Sequence, residues 1–179
     1  MMSLRSGAAL FAAGVLALSA GFATYYLTGA NSSLQLSEEA DVSALLAARL
    51  PDVNGAEISL GDARDRILVI NFWATWCVPC RDEIPDFIKL QSEFGSKGVR
   101  FFGIAAEKPD KIPAFAKEFG INYPLLAADH AAIDLARQLG NQVGGLPFTV
   151  VLDDKRRIVH RQLGVLKPEK LRSIFAEYL

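Results

Sequence analysis

The sequence predicts an α/β domain: a central mixed β-sheet covered by helices on both faces. Three observations predict it. Residues 67–73, Ile-Leu-Val-Ile-Asn-Phe-Trp, form a nearly unbroken apolar run of β-branched and aromatic residues, as in a central strand buried on both sides. Strand-like and helix-like stretches then alternate along the chain. Near the C-terminus two strand patterns flank the turn Asp153-Asp154-Lys155, which reads as a hairpin. Half the residues (51%) are hydrophobic and 22% are charged, enough apolar material for a real core.

Before the central strand, residues 42–50 read as a short helix. Asp52-Val53-Asn54-Gly55 reads as a turn, and 56–60 as one strand of an N-terminal hairpin. A helix should begin at the cysteines and run to about Phe94, stopping before Gly95, with Pro85 kinking it. Residues 99–106 read as a second buried strand. Pro113 suits the first turn of a helix that Gly120 ends, and 131–139 read as another helix stopped by Gly140. The stretch from Glu107 to Gly140 is expected as a central insertion. Strands follow at 148–152 and 158–163, and Pro168 opens a last amphipathic helix to Tyr178. No internal repeat is visible.

The N-terminus reads separately. Residues 7–29 contain no charge, and as a helix those 23 positions would span about 35 Å, enough for a hydrocarbon core of about 30 Å. Arg5 precedes the run; Glu38, Glu39 and Asp41 follow it. This asymmetry places residues 1–6 in the cytoplasm, a single-pass anchor at 7–29, a polar linker at 30–50, and a domain at 51–179 on the far side of the membrane. Tyr25 and Tyr26 fall at the expected interface. A cleaved secretory signal is the alternative, since small-x-small patterns occur at Ala17-Leu18-Ser19 and Gly21-Phe22-Ala23. Either reading puts the domain in the same compartment. With no cysteine nearby, a lipidated N-terminus is not expected.

A net charge of −1, with scattered basic residues, argues against a nucleic-acid binder. Lys155, Arg156 and Arg157 read as a solvated turn between strands. The chain has two cysteines, spaced C-x-x-C in Trp76-Cys77-Val78-Pro79-Cys80. A bridge over two residues removes little chain entropy, so its use lies in opening and closing rather than in stability. At the start of a helix, free N–H groups and the dipole favour a thiolate at Cys77. Cys80, three residues on, shares its face. Cys77 is therefore the attacking thiol and Cys80 the resolving one: a mixed disulfide forms on Cys77, and Cys80 displaces the partner. The alternative of half a zinc site lacks its second ligand pair, because His130 and His160 are far apart in sequence. Both histidines read as surface or loop residues, and neither a metal nor a cofactor is expected.

From Asn71 to Pro85, Asn-Phe-Trp-Ala-Thr-Trp-Cys-Val-Pro-Cys-Arg-Asp-Glu-Ile-Pro resembles the thioredoxin superfamily, and more narrowly the membrane-anchored redoxins of the TlpA/ResA type. The resemblance covers residues from about 50 to 179. It implies a thioredoxin fold and an extracytoplasmic enzyme that reduces disulfides of client proteins, notably during cytochrome c or oxidase assembly. It also implies a membrane thiol carrier as electron donor. A monomer is the default. Pro147 in Gly145-Leu146-Pro147-Phe148 matches the superfamily's cis-proline loop, which leaves the Leu146 backbone free to pair with a client; the alternative is a plain trans proline before a strand. Glu83 matches an acid the subfamily places one turn beyond the second cysteine, where it could move a proton during resolution; the alternative is a surface glutamate. Asn71 departs from the buried acid of ordinary thioredoxins, which shifts the proton role toward Glu83. Trp73 reads as core and Trp76 as a lip on the exposed thiol, while Arg81 and Asp82 read as solvated charges. The rival activities are a dithiol oxidase using the same residues, a peroxidase, and a thioredoxin-fold metal-binding chaperone, which would need a histidine near the cysteines in space.

Overall fold

A computed structural model describes residues 41–179. The expected anchor at 7–29 and most of the expected linker lie outside the described residues. Among those described, no helix is long and apolar enough to cross a membrane.

The described residues begin with a short helix α1 (Ser43–Ala47) and a hairpin of β1 (Arg49–Pro51) and β2 (Glu57–Ser59). The central strand β3 (Ile67–Trp73) leads into helix α2 (Val78–Phe94), which contains Pro85. Strand β4 (Val99–Ala105), helix α3 (Ile112–Phe119), strand β5 (Leu125–Ala127) and helix α4 (His130–Gln138) follow. Strands β6 (Phe148–Leu152) and β7 (Ile158–Leu163) and helix α5 (Pro168–Tyr178) complete the fold.

The five-stranded sheet has the order β5-β4-β3-β6-β7. β3 pairs in parallel with β4 and antiparallel with β6, so it sits at the centre, and all seven of its residues are buried. Its side chains alternate between two cores, as the pleat requires. Val69 and Trp73 pack with Ile84 and Phe87 of α2, Phe115 of α3 and Phe175 of α5. Leu68, Ile70 and Phe72 pack with Leu45 of α1 and with Ala132 and Ala136 of α4. The helices thus cover both faces, as the alternating pattern predicts, and the α/β fold with its N-terminal hairpin stands.

Four local expectations are corrected. The helix expected over 42–50 stops at Ala47, because Pro51 cannot continue it and Arg49–Pro51 pairs with β2 instead. Leu45 and Leu50 are both buried. Strand β5 has no counterpart in the sequence pattern, because three residues are too short a run to show a period. Arg156 is not simply solvated: its guanidinium donates to the carbonyls of Ala63 (2.6 Å) and Asp65 (3.0 Å). Arg157 binds Asp153, whose buried carboxylate needs a donor. His160 lies mid-strand in β7 and is half-buried, while His130 is the exposed first residue of α4.

Candidate active site

The cysteines sit where β3 hands over to α2, at the carboxyl ends of the central parallel strands, where open α/β sheets gather their functional loops. Cys77 is the N-cap of α2, and Pro79 occupies its first turn. The Cys77 sulfur accepts from the Cys80 backbone N–H at 3.3 Å, so a free helix-start donor points at the reacting atom. Cys77 and Cys80 are joined as a disulfide, with Cα atoms 5.3 Å apart. Cys80 is fully buried and Cys77 nearly so, at 5% exposure rather than as the exposed thiol expected, but of the two only Cys77 lines a groove of about 820 Å³.

That groove brings together Trp76, Cys77 and Leu146, three of the residues singled out from the sequence, and adds His130, Ile133 and Gly144. Trp76 is 68% exposed and Val78 66%, while Trp73 is buried, so one tryptophan forms the lip and the other the core. The Leu146–Pro147 peptide is cis, as the resemblance implies. Among the described residues no group bonds the Leu146 backbone. Gly144 has φ 65°, and a Cβ there would come within 3.0 Å of Ile133, so the groove wall needs a glycine.

Behind the disulfide the chemistry changes. Glu83, one turn beyond Cys80 on α2, is 2% exposed, so it is not a surface glutamate. Its Oε1 accepts from Asn71 Nδ2 at 2.7 Å and its Oε2 from the Leu166 backbone N–H at 2.9 Å. The same Asn71 nitrogen donates to Thr149 Oγ1 at 3.0 Å. Burial pushes the Glu83 carboxyl up to about 7, against the pull of the Leu166 and Asn71 donors. Tyr123 faces it closely enough that the carboxylate charge adds to burial in raising the phenol.

Several contributors went unnoticed in the sequence. Glu107, at the end of β4, accepts both the backbone N–H and the hydroxyl of Thr75 and so holds the loop that carries Trp76 and Cys77. An acid just past a parallel strand end was the available signal. Thr149 and the Leu166 N–H come from distant segments, and nothing local marks them. Arg81 is not merely solvated, because its guanidinium lies 5.5 Å from the Phe119 ring centroid and 5.9 Å from that of Phe115. His130 shares the groove with Cys77, yet no cluster of three metal-ligating side chains occurs among the described residues.

A helix-capping disulfide at the centre of this sheet, beside a cis-proline loop, defines the thioredoxin-like class. Within it, the chain belongs to the redoxin family, whose model matches residues 39–179. The thioredoxin-like protein YneN of Bacillus subtilis is 35% identical over 127 residues, covering 68% of this chain and 71% of that protein. The thiol-disulfide oxidoreductase ResA of Geobacillus thermodenitrificans is 30% identical, covering 69% and 70% respectively. A thiol:disulfide interchange protein from Chlorobium tepidum superposes with a TM-score of 0.63 at 28% identity, over 73% of this chain and 95% of that one. These relatives support the ResA-type resemblance carried by residues 71–85.

Proposed function

We propose that this redoxin is a thiol–disulfide reductase of extracytoplasmic client proteins, held at the inner membrane by residues 7–29. The observation that carries it is the asymmetry of the disulfide: Cys77 lines an apolar groove beside the Leu146 backbone, which is unbonded among the described residues, while Cys80 is sealed in the core.

In the reduced protein the Cys77 thiolate attacks one sulfur of a client disulfide and expels the other as a thiolate. An extended client strand alongside would pair with the Leu146 backbone next to Pro147, with its apolar side chains against Trp76. Cys80 then gives up its proton, with Glu83 as acceptor, and attacks the Cys77 sulfur. The client leaves with two electrons, and the protein returns to the disulfide form. A thiol donor in the membrane would restore the dithiol. Cytochrome c or oxidase maturation is the setting the ResA-type resemblance suggests for the clients. The chemistry needs no cofactor.

The full-length protein in detergent, titrated against graded thiol redox buffers, tests the direction. A two-electron potential near or below about −270 mV fits a reductase. A value toward about −120 mV would make it an oxidase built on the same residues.

A further inference from the structure

Asn71 and Thr149 sit directly opposite each other on β3 and β6, in the sheet layer beneath the cysteines. Together with the Leu166 N–H they surround the Glu83 carboxyl, and both of its oxygens accept hydrogen bonds from pure N–H donors. This arrangement fits a carboxylate. A protonated acid must donate through one of its oxygens, and a backbone N–H can never accept. The Leu166 N–H therefore always faces an accepting Oε2, and a proton on Glu83 belongs on Oε1. Only on the Asn71 side can polarity reverse, because an amide carries an acceptor opposite its donor and a hydroxyl is both.

We propose that Asn71 and Thr149 are positioning residues that form a reversible clamp on Glu83. With Glu83 ionised, Asn71 Nδ2 donates to Oε1 and to Thr149, whose oxygen accepts. With Glu83 protonated on Oε1, the Asn71 amide turns over about its last torsion. Its Oδ1 then accepts from the new carboxyl O–H and from the Thr149 hydroxyl, which rotates from acceptor to donor. No bond other than O–H is made or broken, and the proton is the one Cys80 releases during resolution. An aspartate at position 71 could not serve in this way, because as an ion it offers Glu83 no donor and the two carboxyls would compete for one proton. The departure from the acid of ordinary thioredoxins thereby acquires a physical purpose. The inference rests on the reading of Glu83 as proton acceptor, but it makes a claim about Glu83 that needs no client.

Other titratable groups around Glu83 are the Cys77 and Cys80 thiols at the start of its own helix and the Tyr123 phenol from the segment before β5. In the oxidised protein the cysteines do not titrate, and the phenol is raised further above its ordinary range by burial. In the oxidised full-length protein, therefore, no thiol or phenol beside Glu83 titrates in the range of its carboxyl.

The experiment is infrared difference spectroscopy of the carboxylic-acid C=O band against pH, with Glu83→Gln identifying the band by its loss. Thr149→Val, nearly isosteric, should move the Glu83 midpoint upward by about half a pH unit or more, because of the two Asn71–Glu83 bonds that Thr149 anchors, the one to the carboxylate is charge-assisted and the stronger. Asn71→Leu should move it further in the same direction. Thr149→Ser, which keeps the hydroxyl, should restore the wild-type midpoint. The clamp is overturned if Thr149→Val leaves the midpoint in place or lowers it, or if Thr149→Ser shifts it as much as Thr149→Val does. If the midpoints move as expected but Glu83→Gln exchanges disulfides at the wild-type rate, the clamp stands and the proton-acceptor role in the proposed function fails.

Discussion

The two sides of the disulfide are built by opposite rules. The open side is apolar and sparsely bonded: Trp76, Val78 and Val143 are the large exposed hydrophobics among the described residues, and Trp76 and Val78 lie in the groove wall. The closed side holds a buried polar cluster, with Asn71, Glu83, Thr149 and the Leu166 N–H bonded to one another out of water. Exposed apolar surface suits a site that must bind many sequences, since it asks for contact rather than a fixed bonding pattern. A buried polar network suits a proton step, because its groups are already oriented when the charge arrives. Binding and proton handling are thus separated by one layer of sulfur, and each can be perturbed alone.

The largest effect should come from the closed side. Glu83→Gln should slow turnover about 100-fold or more and flatten the pH dependence of exchange near pH 7, read from steady-state rates across pH. The same carboxyl should leave a mark on stability. Its folded pKa, about 7, lies above its ordinary 4.5, so the native state holds the proton more tightly than the unfolded chain. The resulting stabilisation is complete below the unfolded value and is lost as pH rises through about 7, amounting to about 3 kcal/mol. Denaturant titrations of the oxidised protein at pH values on either side of that window should show this slope, and Glu83→Gln should remove it. On the open side the effect is smaller and of another kind. Trp76→Ala should raise KM about tenfold with kcat little changed, since a contact is lost and no proton is involved. Glu107→Gln, which touches the loop carrying Trp76 and Cys77, should cost about 1 kcal/mol of stability, because one acceptor for Thr75 survives while the charge is gone.

Much of this was legible in the sequence because it is local. The seven-residue strand, the helix beginning at the cysteines, the spacing of Glu83 from Cys80 and the terminal hairpin all depend on neighbours within a few residues, and each stands where the pattern placed it. The contacts without a local signal join distant segments. Glu83 meets Leu166 across 83 positions, and Asn71 meets Thr149 across 78. Burial of a glutamate is a tertiary fact, and only the family resemblance marked Glu83 out beforehand. Arg156 shows the same limit from the other direction. A basic turn looks solvated until the loop carrying Ala63 and Asp65 is folded against it.

The asymmetry of the two cysteines is tested most directly by trapping. Full-length Cys80→Ser and Cys77→Ser proteins are each reduced, mixed with a disulfide-bonded protein substrate and resolved on non-reducing gels. The account predicts that Cys80→Ser accumulates a mixed disulfide through Cys77, while Cys77→Ser forms none above background, because Cys80 has no path to the groove. Equal trapping by both variants, or trapping by Cys77→Ser alone, would contradict it.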